Sequence, residues 1–483
     1  MCKQDNAVFC DLLCKVLFIT MGYLYIGYAL TYYAITQDSI AYVLDFQHSP
    51  NKSVIEGFVN ASLSIGAAVA ALVSSMIVNK LNYRNTFILF DIIGICIGLL
   101  FTIENLNVLI LCRTLQGFLT GLNSALVIQY IYHFVPLNNV GIFVGLGPCL
   151  MMVGLTLGFA VQWIFLGLPA SEYNVDQDYG YLGFNNWKII FLFTAIPCII
   201  RLFGMVFILT TKLPFEQVKK GNDEKAILQI QSSYPSTTTN EEIQELLIQI
   251  KQNLKEENQS IKDLFSKSYR KSMILCMIFG VLQQFAGINA VNFYAGAIIG
   301  AMTNNNITLI NLANVTNGLV SIAASIFSSI MINRAGRRIV LLIGNAFCFI
   351  SLTFICLIIS IQSQGDNDEK NYQIFNLVFL VIYVISYSLS LGPVFWVYLS
   401  EVLPTKGISL VTFINWISCA ILAQIFPIIV EQLSLQFNFG IFAAVCLLLE
   451  IMFYYFFFET KGLTKNEIQN LFQNKKKYVD LND

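Results

Sequence analysis

The sequence predicts an all-α membrane protein: twelve transmembrane helices in two six-helix halves, joined by a cytoplasmic helical linker. Three observations carry this. First, 56% of the 483 residues are hydrophobic and only 12% are charged, against about 25% charged in a soluble domain. Second, the apolar residues fall in long blocks near the roughly 20 residues a bilayer-spanning helix needs. Third, the longest polar stretch stands in the middle, with six blocks on each side. A soluble enzyme, a disordered chain and a nucleic-acid-binding protein are all excluded by so little charge and a net charge of -1.

The twelve blocks run over 14–36, 58–79, 86–103, 108–134, 140–166, 188–210, 271–301, 308–332, 338–361, 373–401, 407–432 and 437–458. The seventh and tenth are longer than a bilayer requires, which predicts tilt or a break rather than extra spans. The first has no small-residue cleavage site and is followed by eleven more, so it reads as a span and not a cleaved signal. Lys52, Lys188 and Lys370 alone among the Lys and Arg residues fall in odd-numbered loops. Lys80, Arg84, Arg334, Arg337, Arg338 and Lys406 all sit in short even-numbered loops. By the positive-inside rule both termini and the central loop are expected in the cytoplasm. Cys96, Cys112, Cys149, Cys198, Cys276, Cys348, Cys356, Cys419 and Cys446 lie inside spans and no cysteine lies in an external loop, so they read as small apolar packing residues rather than disulfides or metal ligands.

The organisation expected is therefore an N-terminal half over 1–210, a linker over 211–270, a C-terminal half over 271–458 and a cytoplasmic tail over 459–483. In the linker Ile243, Leu246, Leu247, Ile250 and Leu254 recur at spacings of three and four, which predicts an amphipathic helix, with Asn240 at its start. The halves echo each other. Tyr130-x-x-His133-x-x-Pro136 ends span four, and Tyr398-x-x-Glu401-x-x-Pro404 ends span ten. Asn79-Lys80-Leu81-Asn82-Tyr83-Arg84 follows span two, and Asn333-Arg334-Ala335-Gly336-Arg337-Arg338 follows span eight. Two such halves with a site at the midplane between them form a transporter architecture.

Span seven carries Gln283, Gln284, Asn289 and Asn292 in one stretch around Gly287. Polar groups at membrane depth are costly and are functional candidates by default. Amides supply donors and acceptors together, which is what a ring of hydroxyls needs. The glycine allows a helix break and close backbone approach.

The stretch from Gln283 to Tyr294 resembles the QQxxGINxxxYY signature of the sugar porter family of the major facilitator superfamily, and in detail its facilitative hexose transporters. Further matches are Gly392-Pro393-Val394-Phe395-Trp396, Pro404-Thr405-Lys406-Gly407, Arg334-Ala335-Gly336-Arg337-Arg338, Glu459-Thr460-Lys461-Gly462 and Arg113-x-x-x-Gly117-x-x-x-Gly121. The resemblance covers nearly the whole chain. It implies that Gln283, Gln284 and Asn289 bind sugar hydroxyls. It also implies that Trp396, Asn415 and Trp416 face the same cavity. Arg84, Arg113, Arg334, Arg337, Arg338 and Glu401 are implied to form inner ion pairs that hold the halves together in the outward-open state.

The first half departs from the family. Its inner loop has Asn82 and Tyr83 where the family has Gly-Arg, His133 replaces the span-four Glu, and the PESPR motif is reduced to Thr211-Lys212-Leu213-Pro214-Phe215. A weaker inner lock, and a more populated inward-open state, are expected. Some sugar contacts of the family also differ: its span-five Gln falls on Pro148 or Met152, its span-eight Asn on Ser321 with Asn317 one turn away, and its span-ten Glu on Ser388. These changes alter the hydroxyl pattern that is read, so a hexose or related polyol is the expected class.

Proton-coupled relatives carry an Asp after Gly-Tyr in span one; here Ala29 follows Gly27-Tyr28. That favours a uniporter of the plasma membrane, with Asp91 in span three the residue that would support proton coupling. A proton-coupled sugar, polyol or inositol transporter and a non-transporting sugar receptor are the alternatives. No phosphate-binding loop appears, so no nucleotide is expected, and no catalytic or metal constellation points to an enzyme or a cofactor. The partners expected are the small-molecule substrate and the lipid bilayer. The sequence leaves the oligomeric state open. Asn51-Lys52-Ser53 fits a glycosylation site in the first external loop, and Lys475-Lys476-Lys477 reads as a solvated charge run or a contact with anionic lipid.

Overall fold

The structure is a computed structural model. It describes residues 2–34, 36–135, 137–166, 187–209, 213–233, 240–257, 264–266, 269–304, 306–362, 369–463 and 465–473. The lysine run at 475–477 lies outside these residues, as do Thr211 and Lys212 and the side chain of His133.

The described elements are helical. The first bundle contains α1 (Cys2–Thr31), the short α2 (Gln37–Val43), α3 (Lys52–Leu81), α4 (Tyr83–Leu100), α5 (Leu106–Phe134) and α6 (Leu137–Leu166). It closes with α7 (Trp187–Leu192), α8 (Ala195–Phe203) and a π-turn at Gly204–Ile208. Three linker helices follow: α9 (Pro214–Lys219), α10 (Asp223–Ser233) and α11 (Asn240–Glu257). The second bundle contains α12 (Arg270–Phe285), α13 (Ile288–Phe293), α14 (Ala295–Met302), α15 (Ile307–Ala335) and α16 (Arg337–Gln362). It continues through α17 (Glu369–Leu389), α18 (Leu391–Val402), α19 (Thr405–Gln432) and α20 (Leu435–Phe456), and α21 (Lys465–Gln473) follows.

Eleven stretches among the described residues are long and apolar enough to cross a membrane. The twelfth span, α5, falls short because its middle carries Arg113, Gln116, Thr120 and Asn123, all buried. These four polar side chains are turned into the bundle, while Leu111 and Leu115 of the same helix are exposed. Gly117 and Gly121 set its backbone directly against α3, since a Cβ at either would meet the carbonyl oxygen of Leu63 or Ala67 at 1.8 or 2.3 Å. Small residues at this spacing let membrane helices approach closely.

Both long spans are broken, as their length predicts. Gly287, at φ +100, separates α12 from α13, and a Cβ there would strike Phe442 at 2.4 Å. Ser390 separates α17 from α18. The predicted linker helix begins at Asn240, and its Leu247 packs with Val218 and Ala226 of α9 and α10.

Two pairs of helices carry most of the contact between bundles: α3 with α19, and α6 with α15. The α1 and α13 ends meet away from the linker. There Gln37 Nε2 donates to the Phe293 carbonyl at 2.5 Å and Gln424 Nε2 to the Val54 carbonyl at 3.2 Å. Ser53 also bonds to Glu431 across the interface. This far end is closed. At the linker end no ion pair between described residues joins the bundles.

Candidate functional site: an amide cluster at the bundle interface

Gln283 and Gln284 are the last turn of α12, Asn289 opens α13 just past the Gly287 break, and Asn415 sits in α19. The structure joins all four. Gln284 Nε2 donates to Asn415 Oδ1 at 2.8 Å and to Gln283 Oε1 at 3.1 Å. Asn289 Nδ2 donates to Gln284 Oε1 at 2.6 Å. Asn415 Nδ2 donates to Gln283 Oε1 and to the Gly280 carbonyl, both at 2.9 Å. The break at Gly287 lets Asn289 fold back onto Gln284, five residues earlier. An unbroken helix would place it beyond the i+3 and i+4 positions that face one another.

Gln283, Gln284 and Asn415 are buried, while Asn289 is half-buried. Buried amides must be paired, and here they pair chiefly with one another. Each also keeps capacity to exchange a neighbour for a hydroxyl, since an amide has two donors and two acceptor sites. Trp416, next along α19, is buried with its Nε1 lacking a hydrogen-bond partner, as are Asn314 Nδ2 and Asn317 Oδ1 on α15. Trp396 is half-buried on α18 and packs edge-on against Phe395 at 5.0 Å.

The sequence reading missed two members. Tyr387 of α17 accepts from Gln283 Nε2 at 2.5 Å. Cys419, one turn beyond Asn415, lies 3.4 Å from Asn289 Nδ2 and 3.3 Å from Ser64 Oγ of the other bundle. Tyr387 adjoins Ser388, already marked as a departure from the family. Cys419 gave no signal among so many packing cysteines. Ser388 and Ser321 are buried, and Ser321 bonds back to the Asn317 carbonyl.

The first bundle has its own polar centre. Arg113 is fully buried, and its Nη1 donates to the Ala29 carbonyl at 3.0 Å and to Gln116 Oε1 at 3.1 Å. Its Nη2 reaches Asn60 Oδ1 at 3.4 Å. Its guanidinium lies 5.4 and 5.0 Å from the ring centres of Tyr32 and Tyr33. Asp91 is engaged elsewhere: both of its oxygens accept from Arg201 Nε at 3.0 Å, and Oδ1 accepts from Nη2 at 2.6 Å. Arg201 also donates to Asn123 Oδ1 at 2.5 Å. Both charges are buried, and such a pair is costly to break once formed. This fork occupies Asp91 as a brace among α4, α5 and α8.

The residues expected to form inner ion pairs divide. Arg337 and Glu401 do pair, through Arg337 Nη2 at 2.6 Å and Nε at 3.1 and 3.2 Å. Arg84 donates instead to the carbonyls of Met205 and Val206, and Arg338 to that of Tyr454. Arg334 is exposed and offers its carbonyl to Lys461 Nζ. Arg113 lies within the bundle rather than at its inner end. With the far end closed, Arg84 and Arg338 thus meet carbonyls, Arg113 meets a carbonyl and neutral side chains, and Arg334 has no ion pair among the described residues; the resemblance implies their ion pairs for the outward-open state.

Comparison with known proteins agrees with this architecture. The family described as "Sugar (and other) transporter" matches residues 15–472. The chain is 26% identical to the sugar transporter ERD6-like 6 of Arabidopsis thaliana over 97% of this chain and 92% of that one. It is 25% identical to the galactose-proton symporter of Escherichia coli over 87% of this chain and 86% of that one. Its fold matches the proton:xylose symporter XylE bound to 6-bromo-6-deoxy-D-glucose, with a TM-score of 0.79 and 19% identity over 96% of this chain and 99% of that one. A twelve-span, two-bundle transporter fold and a family match over nearly the whole length lead to one conclusion: the chain belongs to the sugar (and other) transporter family of the major facilitator superfamily, and it is a transporter rather than an enzyme.

Proposed function

We propose that the chain moves a neutral sugar or closely related polyol by alternating access, with proton coupling. The observation that carries the substrate class is the cluster of Gln283, Gln284, Asn289 and Asn415, which is uncharged, buried and built on a broken helix at the bundle interface. An uncharged cluster of donors and acceptors suits hydroxyls and offers no ion pair to a charged solute. Trp416 and Trp396 would supply the flat apolar wall for the C–H face of the ring. The bundles then rock about this site, open to one side at a time.

Proton coupling is favoured by the similarity to a galactose-proton symporter and, in fold, to a proton:xylose symporter. Hexose uniport is the second reading. Ala29 in place of a span-one carboxylate supports it, and so does the engagement of Asp91 with Arg201. By the positive-inside pattern the linker end faces the cytoplasm, the far end faces outside, and the plasma membrane is the proposed location. Asn51, exposed at the far end, is then available for glycosylation.

The test is transport of labelled glucose, galactose and xylose into sealed liposomes holding the purified protein, with and without an inward pH gradient. The expected result is concentrative uptake driven by the gradient. Gln284→Ala is expected to lower exchange of labelled for unlabelled sugar at least ten-fold, because it removes three hydrogen bonds of the cluster. Exchange without accumulation would establish the uniporter. Binding without any flux would point to a receptor, and full activity of Gln284→Ala would remove the amide cluster from the site.

A further inference from the structure

At the closed far end one carboxylate is left short of partners. Glu56 stands in the first turns of α3 with its side chain 14% exposed, and its Oε1 is buried without a hydrogen-bond partner. The nearest cation, Lys52 Nζ, is 3.6 Å away and is held more closely by Asp38, at 2.9 Å. Glu431 of α19 faces the same place from the other bundle and bonds to Ser53. Two carboxylates thus share one lysine where the bundles meet, and a third, Glu431, adds its negative charge beside Glu56. A buried carboxylate without a full partner is unstable as an anion and is stabilised by taking a proton.

A complementary shortage lies one turn deeper. Asn60 is four residues from Glu56 on the same face of α3, and it accepts from Arg113 Nη2 at 3.4 Å. Arg113 is fully buried, its Nε has no hydrogen-bond partner, and no carboxylate of the described residues lies within ion-pair distance of it. Tyr33 and Tyr294 neighbour both groups: each interacts electrostatically with Glu56 and with Arg113. A carboxylate with only a long, shared ion pair and a cation with no ion pair among the described residues therefore neighbour the same pair of tyrosines.

We propose that Glu56 is the proton-carrying group of this transporter. The inference rests on the proton-coupled reading above and names the residue that performs it. When the far end is open, the Glu56 carboxylate takes one proton from the outer solution. The neutral acid can then be enclosed when Ser53 meets Glu431 and Gln37 meets Phe293. In the far-end-closed state the proton leaves toward the linker end, and the restored carboxylate is stabilised by the charge of Arg113 beside Tyr33, Tyr294 and Asn60. Sugar and proton cross on the same stroke. Lys52, Asp38 and Glu431 set the field at the outer side of Glu56, and Arg113 sets it at the inner side.

The experiment compares wild type, Glu56→Gln and Glu56→Asp in liposomes by three readouts: gradient-driven accumulation, sugar-for-sugar exchange, and sugar-induced pH change in weakly buffered medium. Glu56→Gln is expected to lose accumulation more than ten-fold and to lose the sugar-induced pH change, while exchange falls less than three-fold. Glu56→Asp is expected to restore accumulation with a shifted pH dependence. Accumulation that survives in Glu56→Gln overturns the assignment of Glu56. A folded Glu56→Gln protein, monodisperse in detergent, that has lost exchange as fully as accumulation also overturns it, since that outcome marks a purely structural residue. Wild type that exchanges sugar but never accumulates it, and moves no protons, refutes the coupled reading itself.

Discussion

The two bundles turn the same corner in the same way and fasten it with different chemistry. In the second, Gly336 leads into α16 at φ +90, and Glu459 accepts from the Arg337 and Arg338 N–H groups at 2.9 and 3.0 Å. In the first, Asn82 leads into α4 at φ +64, and Glu216 accepts from the Tyr83 N–H at 3.0 Å. Each is a carboxylate from the far side of its bundle seated on a helix N-terminus, where free N–H groups and the helix dipole favour a negative charge. The side chains above the corner differ. Arg337 forks onto Glu401, which Thr460 also supports at 2.6 Å. The equivalent Tyr83 hydroxyl donates a neutral hydrogen bond to Gln129 Oε1 at 3.1 Å. The two corners thus share a backbone turn and a capping carboxylate, while the ion pair above the corner stands in the second bundle. The ordering work of the inner end is concentrated in the second bundle.

The sharpest way to break this comparison is to remove the two carboxylates in turn. Glu459 holds four backbone N–H groups, those of Arg337, Arg338, Thr460 and Lys461. Glu216 holds that of Tyr83. Glu459→Ala is expected to cost about 3 kcal/mol and Glu216→Ala about 1 kcal/mol, by the usual worth of a helix cap and of charge-assisted hydrogen bonds. Chemical unfolding of each variant in detergent reads the difference. Equal losses would show that the two corners are fastened equally and that the extra bonds of Glu459 add nothing.

A smaller effect is expected one layer up. Arg337→Met leaves Glu401 with Thr460 alone, at a half-buried position, and should cost about 1–2 kcal/mol, between the values for exposed and buried pairs. Tyr83→Phe removes one neutral hydrogen bond and should cost about 0.5–1 kcal/mol. The same unfolding measurement ranks them. Tyr83→Phe as harmful as Arg337→Met would mean that the first bundle is locked as firmly as the second, against the charge difference seen here.

How far this was legible in the sequence depends on whether the signal was local. The twelve spans were legible because apolar blocks of bilayer length have few other uses, and even the break at Gly287 was marked by a glycine among amides. The clustering of Gln283, Gln284, Asn289 and Asn415 was legible through a motif. Tyr387 was not, since a tyrosine in an aromatic-rich span carries no mark of its partner. Among the inner ion pairs this state shows only Arg337 with Glu401: an arginine at a helix end satisfies its donors on carbonyls as readily as on carboxylates, and sequence shows neither its partner nor the state in which the two meet. Arg84 and Arg338 are both of that kind. The Asp91–Arg201 fork joins residues 110 apart, and nothing in the sequence selects Arg201 over any other buried cation. Asp91 therefore read equally as support for proton coupling, as the partner of a buried Arg or Lys, or as a neighbour of Arg84, and the structure gives it Arg201.

The smallest effect is the one with an unusual sign. Asn82 has φ +64 and ψ +161, a region that almost only glycine occupies and that costs another residue about 1–3 kcal/mol. Gly336, at the equivalent corner, has φ +90 and ψ +171 and has no such penalty. Its Cβ would also meet Glu459 Oε2 at 2.4 Å, so the second corner tolerates no side chain. Asn82→Gly should remove the strain but add freedom to the unfolded chain, which returns part of the gain. A net stabilisation of about 0.5–1 kcal/mol is expected, visible as a rise in unfolding temperature, whereas Gly336→Asn should move it the opposite way. A fall on Asn82→Gly would mean that the asparagine side chain contributes more at that corner than its backbone costs. The loss of glycine in the first bundle would then be an adaptation of that corner rather than a tolerated strain.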